Sequence, residues 1–170
     1  MQLTVTPIKQ EYALQILNWK YEAPYDLYNM ATSRESMNEL IENHYSVVLD
    51  EGDKLVGFFC TGTSAQVPAG ELAGAYEKDA LDIGLGMNPE LTGRGNGSMF
   101  FSFILGYLEG QFSKFSYRLT VASFNERAIH LYQKFGFRET LAFHREEVEF
   151  IVMVRTGTDD VKHLLKLEDF

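Results

Sequence analysis

Leu3-Thr4-Val5-Thr6 alternates apolar and polar side chains, the period of a half-buried strand, and Pro7 closes it. From Ile8 to Trp19 the period lengthens. Tyr12, Ile16 and Trp19 fall at helical spacing, and Pro24 ends any helix there. Thr32-Ser33-Arg34-Glu35 fits a capping box and opens a second helix, with Met37, Leu40 and Ile41 on one face. Tyr45 to Gly62 reads as a hairpin, two β-rich runs around the turn Asp50 to Lys54. Gln66 to Gly74 is a loop, and Asp79 to Met87 a strand stopped by Asn88-Pro89. Gly93 to Gln111 predicts a loop and then a helix, and Tyr117 to Ala122 a strand. Asn125 to Phe135 is a helix with Gly136 as its stop. Phe137 to Phe143 and Glu147 to Val154 form a closing antiparallel pair. The tail from Thr156 to Phe170 is polar, with a short helix. The order β, α, α, β, β, β, α, β, α, β, β predicts a mixed α/β layer with a largely antiparallel first half. A doubly wound nucleotide fold alternates more regularly.

At 170 residues and 45% hydrophobic, the chain has the length of one domain and enough apolar side chains for a sizeable core. The net charge of −9 argues against a non-specific nucleic-acid binder and favours a cationic partner such as an amine. Cys60 has no second cysteine to pair with, which suits a reducing compartment. His44, His130, His144 and His163 are scattered, so no metal site is expected. The N-terminus has no basic segment followed by an apolar one, and the apolar run Met99 to Leu105 is too short to span a membrane. These features predict a cytoplasmic protein with no membrane partner.

The densest chemistry lies in Thr92-Gly93-Arg94-Gly95-Asn96-Gly97-Ser98, between a strand and a helix. The first N–H groups of a helix have no intrahelical partner and carry partial positive charge. Glycines let the backbone come close to a phosphate, Arg94 adds charge, and Ser98 adds a hydroxyl. A P-loop would need Lys and then Ser/Thr after the last glycine, and this chain has Ser98-Met99. On its own such a loop is also compatible with a simple turn.

A second segment narrows the choice. Asn125, Ala128, Leu131, Tyr132, Gly136 and Phe137 follow the pattern Asn-x-x-Ala-x-x-Leu-Tyr-x-x-x-Gly-Phe. With Asn88-Pro89 and Gly95-Asn96-Gly97, this pair of segments resembles the cofactor motifs of the GCN5-related N-acetyltransferase (GNAT) superfamily. The resemblance covers about Tyr45 to Val154. It implies an α/β fold with a central, mostly antiparallel sheet, splayed middle strands and about four flanking helices. One position departs: the family's Gln/Arg falls on Thr92.

The resemblance implies a single domain over residues 1–170 that uses acetyl-CoA as cosubstrate, with a cofactor core at about 79–137 and acceptor-side helices at about 8–43. Thr92 to Ser98 would take the pyrophosphate, and Asn125 the pantetheine arm. Tyr132 would be the general acid at the departing sulfur. A backbone N–H near Leu85 to Met87 would face the thioester oxygen. Asp82 is the candidate general base, and a salt-bridged strand acid is the alternative. Glu71, Glu77 and Asp79 are further candidates. Gly84 and Gly86 leave bare positions beside Asp82, with room for a ligand or another backbone. Asn125 is equally a natural N-cap and Tyr132 equally a core residue. On the acceptor side, Tyr21, Tyr25 and Tyr28, with Trp19, Glu22 and Asp26, suit an amine or ordinary packing. A monomer or homodimer is expected. The implied activity is acetyl transfer to a primary amine; the alternative is a CoA-binding sensor without turnover.

Overall fold

A computed structural model describes residues 1–112 and 116–157. The strands are β1 (Thr4–Pro7), β2 (Ser46–Leu49), β3 (Leu55–Thr61), β4 (Leu81–Met87), β5 (Tyr117–Ala122), β6 (Arg138–Arg145) and β7 (Val148–Arg155). The helices are α1 (Gln10–Leu17), α2 (Arg34–Glu42), α3 (Asn96–Gln111) and α4 (Glu126–Lys134). The sheet order is β1-β2-β3-β4-β5-β7-β6. This is the mixed α/β architecture expected. The short helix anticipated in the tail lies outside the described residues.

The chain divides into two compact units, one formed by Met1–Cys60 with Leu85–Ile104, the other by Thr61–Gly84 with the chain from Leu105 onward. Both β4 and α3 therefore begin in one unit and end in the other.

In the first unit, β1 pairs antiparallel with β2, and β2 with β3, the register shifting between Val48 and Leu49. Helix α1 packs on α2 and buries Ala13, Ile16 and Leu17. It is shorter than predicted because Asn18 folds back, its Nδ2 donating to the Leu14 carbonyl at 2.8 Å. Trp19 thus lies past the helix, and its ring packs 6.1 Å from Phe58. Helix α2 starts one residue later than the capping box implied. Ser33, not Thr32, is the cap, and its hydroxyl accepts from Ser36 N. Thr32 instead donates to Leu17 O. Val47 and Val48 are fully buried, and each such side chain stabilises the fold by about 1.5–3 kcal/mol.

The close approach of β3 and β4 depends on missing side chains. A Cβ on Gly57 would lie 2.5 Å from the Gly86 carbonyl and would collide with the Phe100 ring. One on Gly86 would lie 2.5 Å from the Phe58 ring. The bare position at Gly86 is therefore filled by Phe58. The sequence left a ligand or another backbone open at this position, and the group that lies there is a side chain.

In the second unit, β7 pairs antiparallel with both β5 and β6. A core of Ala75, Ala122, Phe143, Phe150 and Val152 packs beneath Val67 and Tyr76, with Phe143 and Phe150 stacked at 5.6 Å. The start of β4 pairs parallel with β5 over Leu81, Asp82 and Ile83, opposite Tyr117, Arg118 and Leu119.

Candidate active site

Strand β4 ends at Met87, and Asn88 fixes the turn beyond it. The Asn88 backbone N–H donates to Val56 O at 2.8 Å, and its Nδ2 donates to Leu55 O at 3.1 Å. Its Oδ1 accepts from Glu90 N and caps a short 3-10 turn at Pro89–Leu91. Thr92 closes that turn, its hydroxyl donating to Pro89 O at 2.9 Å. That proton is engaged, so Thr92 as it stands offers a phosphate no donor from its side chain.

Gly93 (φ 72°) and Gly95 (φ 78°) then take left-handed conformations that other residues adopt only with strain. Helix α3 begins at Asn96, whose Nδ2 reaches back to Leu91 O at 3.0 Å. Gly93, Arg94, Gly95 and Ser98 are exposed, while Asn96 and Gly97 are half-buried. The Asn96 side chain thus braces the loop. A Cβ on Gly95 would meet nothing within 4 Å, so the space beside this backbone is open. A glycine turn exposed at the start of a 16-residue helix fits a pyrophosphate group.

The other end of β4 is held differently. Asp82 is 4% exposed and Arg118 3%. Arg118 Nε donates to Asp82 Oδ1 at 2.6 Å, and its Nη2 to Oδ2 at 2.8 Å. Gln66 Nε2 also donates to Oδ2, at 2.9 Å. Arg118 Nη1 donates to Lys78 O, and its guanidinium lies 5.1 Å from the centre of the Tyr76 ring. Of the two readings of Asp82, the salt-bridged strand acid describes the arrangement present. Arg118 and Gln66 were missed from sequence. The signal was there in part: Asp82 and Arg118 are directly opposite on neighbouring strands, a favourable cross-strand pair of opposite charges. Seeing it required knowing that these strands are neighbours. Glu71, Glu77 and Asp79 are all exposed.

Asn125 precedes α4 and Tyr132 lies within it, both in the second unit. Asn125 is the N-cap, its Oδ1 accepting from Ala128 N at 3.2 Å. Tyr132 is 8% exposed and packs 6.3 Å from the Phe137 ring, whereas His130 is exposed.

In the first unit lies Tyr21, expected from sequence in the acceptor wall. It is half-buried and its hydroxyl donates to Met87 O at 2.7 Å, while its own N–H donates to Asn29 Oδ1 at 2.7 Å. Burial pushes its phenol well above the usual tyrosine value, so it stays protonated. Tyr25 and Tyr28 bound a short 3-10 turn, and Tyr28 stands edge-on to Tyr21 at 6.5 Å. The Leu85 and Met87 side chains are half-buried.

Among the described residues, no group of three or more His, Cys, Asp or Glu could hold a metal ion, and no helix is long and apolar enough to cross a membrane.

The sequence profile described as the acetyltransferase (GNAT) family matches residues 11–137. No curated protein matches the chain by sequence. Similar solved structures include a spermidine N-acetyltransferase SpeG chimera from Vibrio cholerae and hSSAT. It is 19% identical, with a TM-score of 0.69, covering 95% of this chain and 99% of that one. Another was described as a candidate phosphinothricin N-acetyltransferase. It is 17% identical, with a TM-score of 0.68, covering 92% of this chain and 99% of that one. At these identities the likeness is one of fold.

Proposed function

The chain belongs to the acetyltransferase (GNAT) family, and on that premise we propose that it moves an acetyl group from acetyl-CoA directly to a primary amine. The acceptor is a small molecule or a peptide N-terminus. The observation that carries the reading is the glycine loop, with Gly93 and Gly95 left-handed, the space beside Gly95 open, and α3 starting at Asn96. It supports binding of the pyrophosphate of CoA by Gly93 to Ser98.

The remaining roles follow the resemblance. Asn125 takes the pantetheine arm. The neutral amine nitrogen attacks the thioester carbon, and a backbone N–H near Leu85 to Met87 stabilises the charge that builds on its oxygen. The C–N bond forms first, and the C–S bond breaks as the tetrahedral intermediate collapses. Tyr132 gives its proton to the departing sulfur, and the surplus proton on the new amide nitrogen passes to water or to Asp82, the candidate base. A base role for Asp82 requires its carboxylate to trade one of its present donors for the amine or a water. The spermidine enzyme among the similar structures, the net charge of −9, and the exposed Glu22 and Asp26 all support a cationic amine.

A CoA-binding sensor without turnover is the second reading. Thr92 favours it, because the family's Gln/Arg is replaced by a hydroxyl that donates to Pro89 O. Thiol release from acetyl-CoA with a panel of polyamines, amino acids and peptides separates the two. Binding of CoA with no release for any amine supports the sensor. With an active amine in hand, Tyr132→Phe is expected to lower kcat by about 100-fold or more. CoA affinity should change little. Unchanged kcat removes Tyr132 as the acid.

A further inference from the structure

We propose that Tyr21 is a positioning residue for acetyl transfer, holding the last peptide of β4 from the amine-side link; this rests on the acetyltransferase reading above. The peptide between Met87 and Asn88 is gripped from both sides. Its N–H donates to Val56 O on β3 at 2.8 Å. Its carbonyl accepts the Tyr21 hydroxyl at 2.7 Å, across 66 positions of sequence. The N–H and C=O of one peptide point in opposite directions. The phenol therefore stands on the side of β4 away from β3, and supplies the donor a neighbouring strand would otherwise give.

The grip is built on the link's side as well. Tyr21 N donates to Asn29 Oδ1 at 2.7 Å, which ties the two ends of the segment Tyr21–Asn29 together. The Tyr28 ring, at 80° to that of Tyr21, packs beside it. On the strand side, Asn88 relays the constraint onward, through Leu55 O to β3 and through Glu90 N to the turn before the glycine loop. One hydroxyl therefore joins the segment expected to face the amine to the strand end expected to face the thioester. Tyr21 acts through Met87 rather than on either substrate.

Tyr21→Phe removes the hydroxyl and little else. Two measurements test the proposal. The first is backbone hydrogen exchange by mass spectrometry, which needs no ligand. Peptides spanning Gly86 to Leu91 should exchange about tenfold faster in the variant, while those from β6 and β7 keep their protection. The second is a kinetic split on the full chain. kcat should fall about tenfold, with a raised KM for the amine, while CoA itself, measured by calorimetry, binds within about twofold of the parent because the glycine loop is intact. Unchanged exchange at Gly86 to Leu91 overturns the proposal. So does a kcat loss matched by an equal loss of CoA affinity, which marks general loosening. A parent protein that neither binds CoA nor acetylates any amine defeats the acetyltransferase reading instead, and the exchange comparison then decides alone whether Tyr21 holds the strand.

Discussion

The two ends of β4 are secured by opposite means. The first three residues lie in a parallel ladder and carry a buried carboxylate met by a guanidinium and an amide. The last residues carry no charge, and are fixed through main-chain atoms by Tyr21, Val56 O and the Asn88 amide. A buried ion pair is rigid but intolerant: each partner becomes a liability once the other is gone. Neutral hydrogen bonds to backbone cost less to lose, about 0.5–1.5 kcal/mol net each, and keep charge away from whatever binds nearby. The contrast indicates that charge anchors the Asp82 end and neutral bonds hold the Met87 end, which in the proposed function presents the strand to the thioester.

The largest expected effect breaks the anchored end. Arg118→Met leaves Asp82 buried without its counter-charge and should cost about 3–5 kcal/mol in denaturant unfolding. Adding Asp82→Leu should recover much of that loss, since two apolar residues can replace a buried pair. A loss below about 1 kcal/mol for the single change would show that the pair does not anchor the strand. Asp82→Asn asks a narrower question. It should lower stability by about 3–5 kcal/mol, since Arg118 is then buried without its counter-charge. If Asp82 is only an anchor, kcat at saturating amine and its pH profile stay as they were. A fall of about 100-fold in kcat would mark Asp82 as the base.

At the presenting end the effects fall on binding. Gly95→Val puts a β-branched residue at φ 78°. Such strain costs roughly 1–2 kcal/mol. The open space around Gly95 lets the side chain be accommodated. CoA affinity should drop by about tenfold or more in calorimetry, a change of about 1.4 kcal/mol; retained affinity would sink the loop assignment. The smallest effect is one of pH. Burial raises the phenols of Tyr21 and Tyr45, and desolvation, with the nearby Glu109 carboxylate, raises that of Tyr117. Above about pH 10 the unfolded chain loses these protons while the folded one keeps them, so stability falls as pH rises further and is unaffected below. Tyr21→Phe should therefore share the parent's Tm-against-pH shape up to about pH 10 and fall less steeply beyond it.

Much of the fold was legible in the sequence for a physical reason. Periodicity is local, so the helices and strands emerged in the right order, and the Asn125 cap could be read from its place before an amphipathic run. Where two residues compete locally, the choice was out of reach: Thr32 and Ser33 are both able caps, and only the backbone at Ser33 (φ −137°, ψ 163°) decides between them. Contacts between distant segments were the least visible. Tyr21 meets the carbonyl of Met87, and a backbone acceptor carries no residue signature. Asp82 meets Arg118 through a strand register that no single-strand pattern specifies. Gly86 read as space for a ligand or another backbone because nothing in β4 announces that Phe58 fills it.

The bonds within the glycine loop have a further consequence. Thr92 to Pro89 and Asn96 to Leu91 close the loop on itself with its own side chains. The proposed pyrophosphate loop is thus braced by the chain's own side chains. An anion entering it has little backbone entropy to remove, and such preorganisation raises affinity without adding a contact. In the proposed pyrophosphate site, the side chains of Thr92 and Asn96 would thus serve by keeping the main chain still.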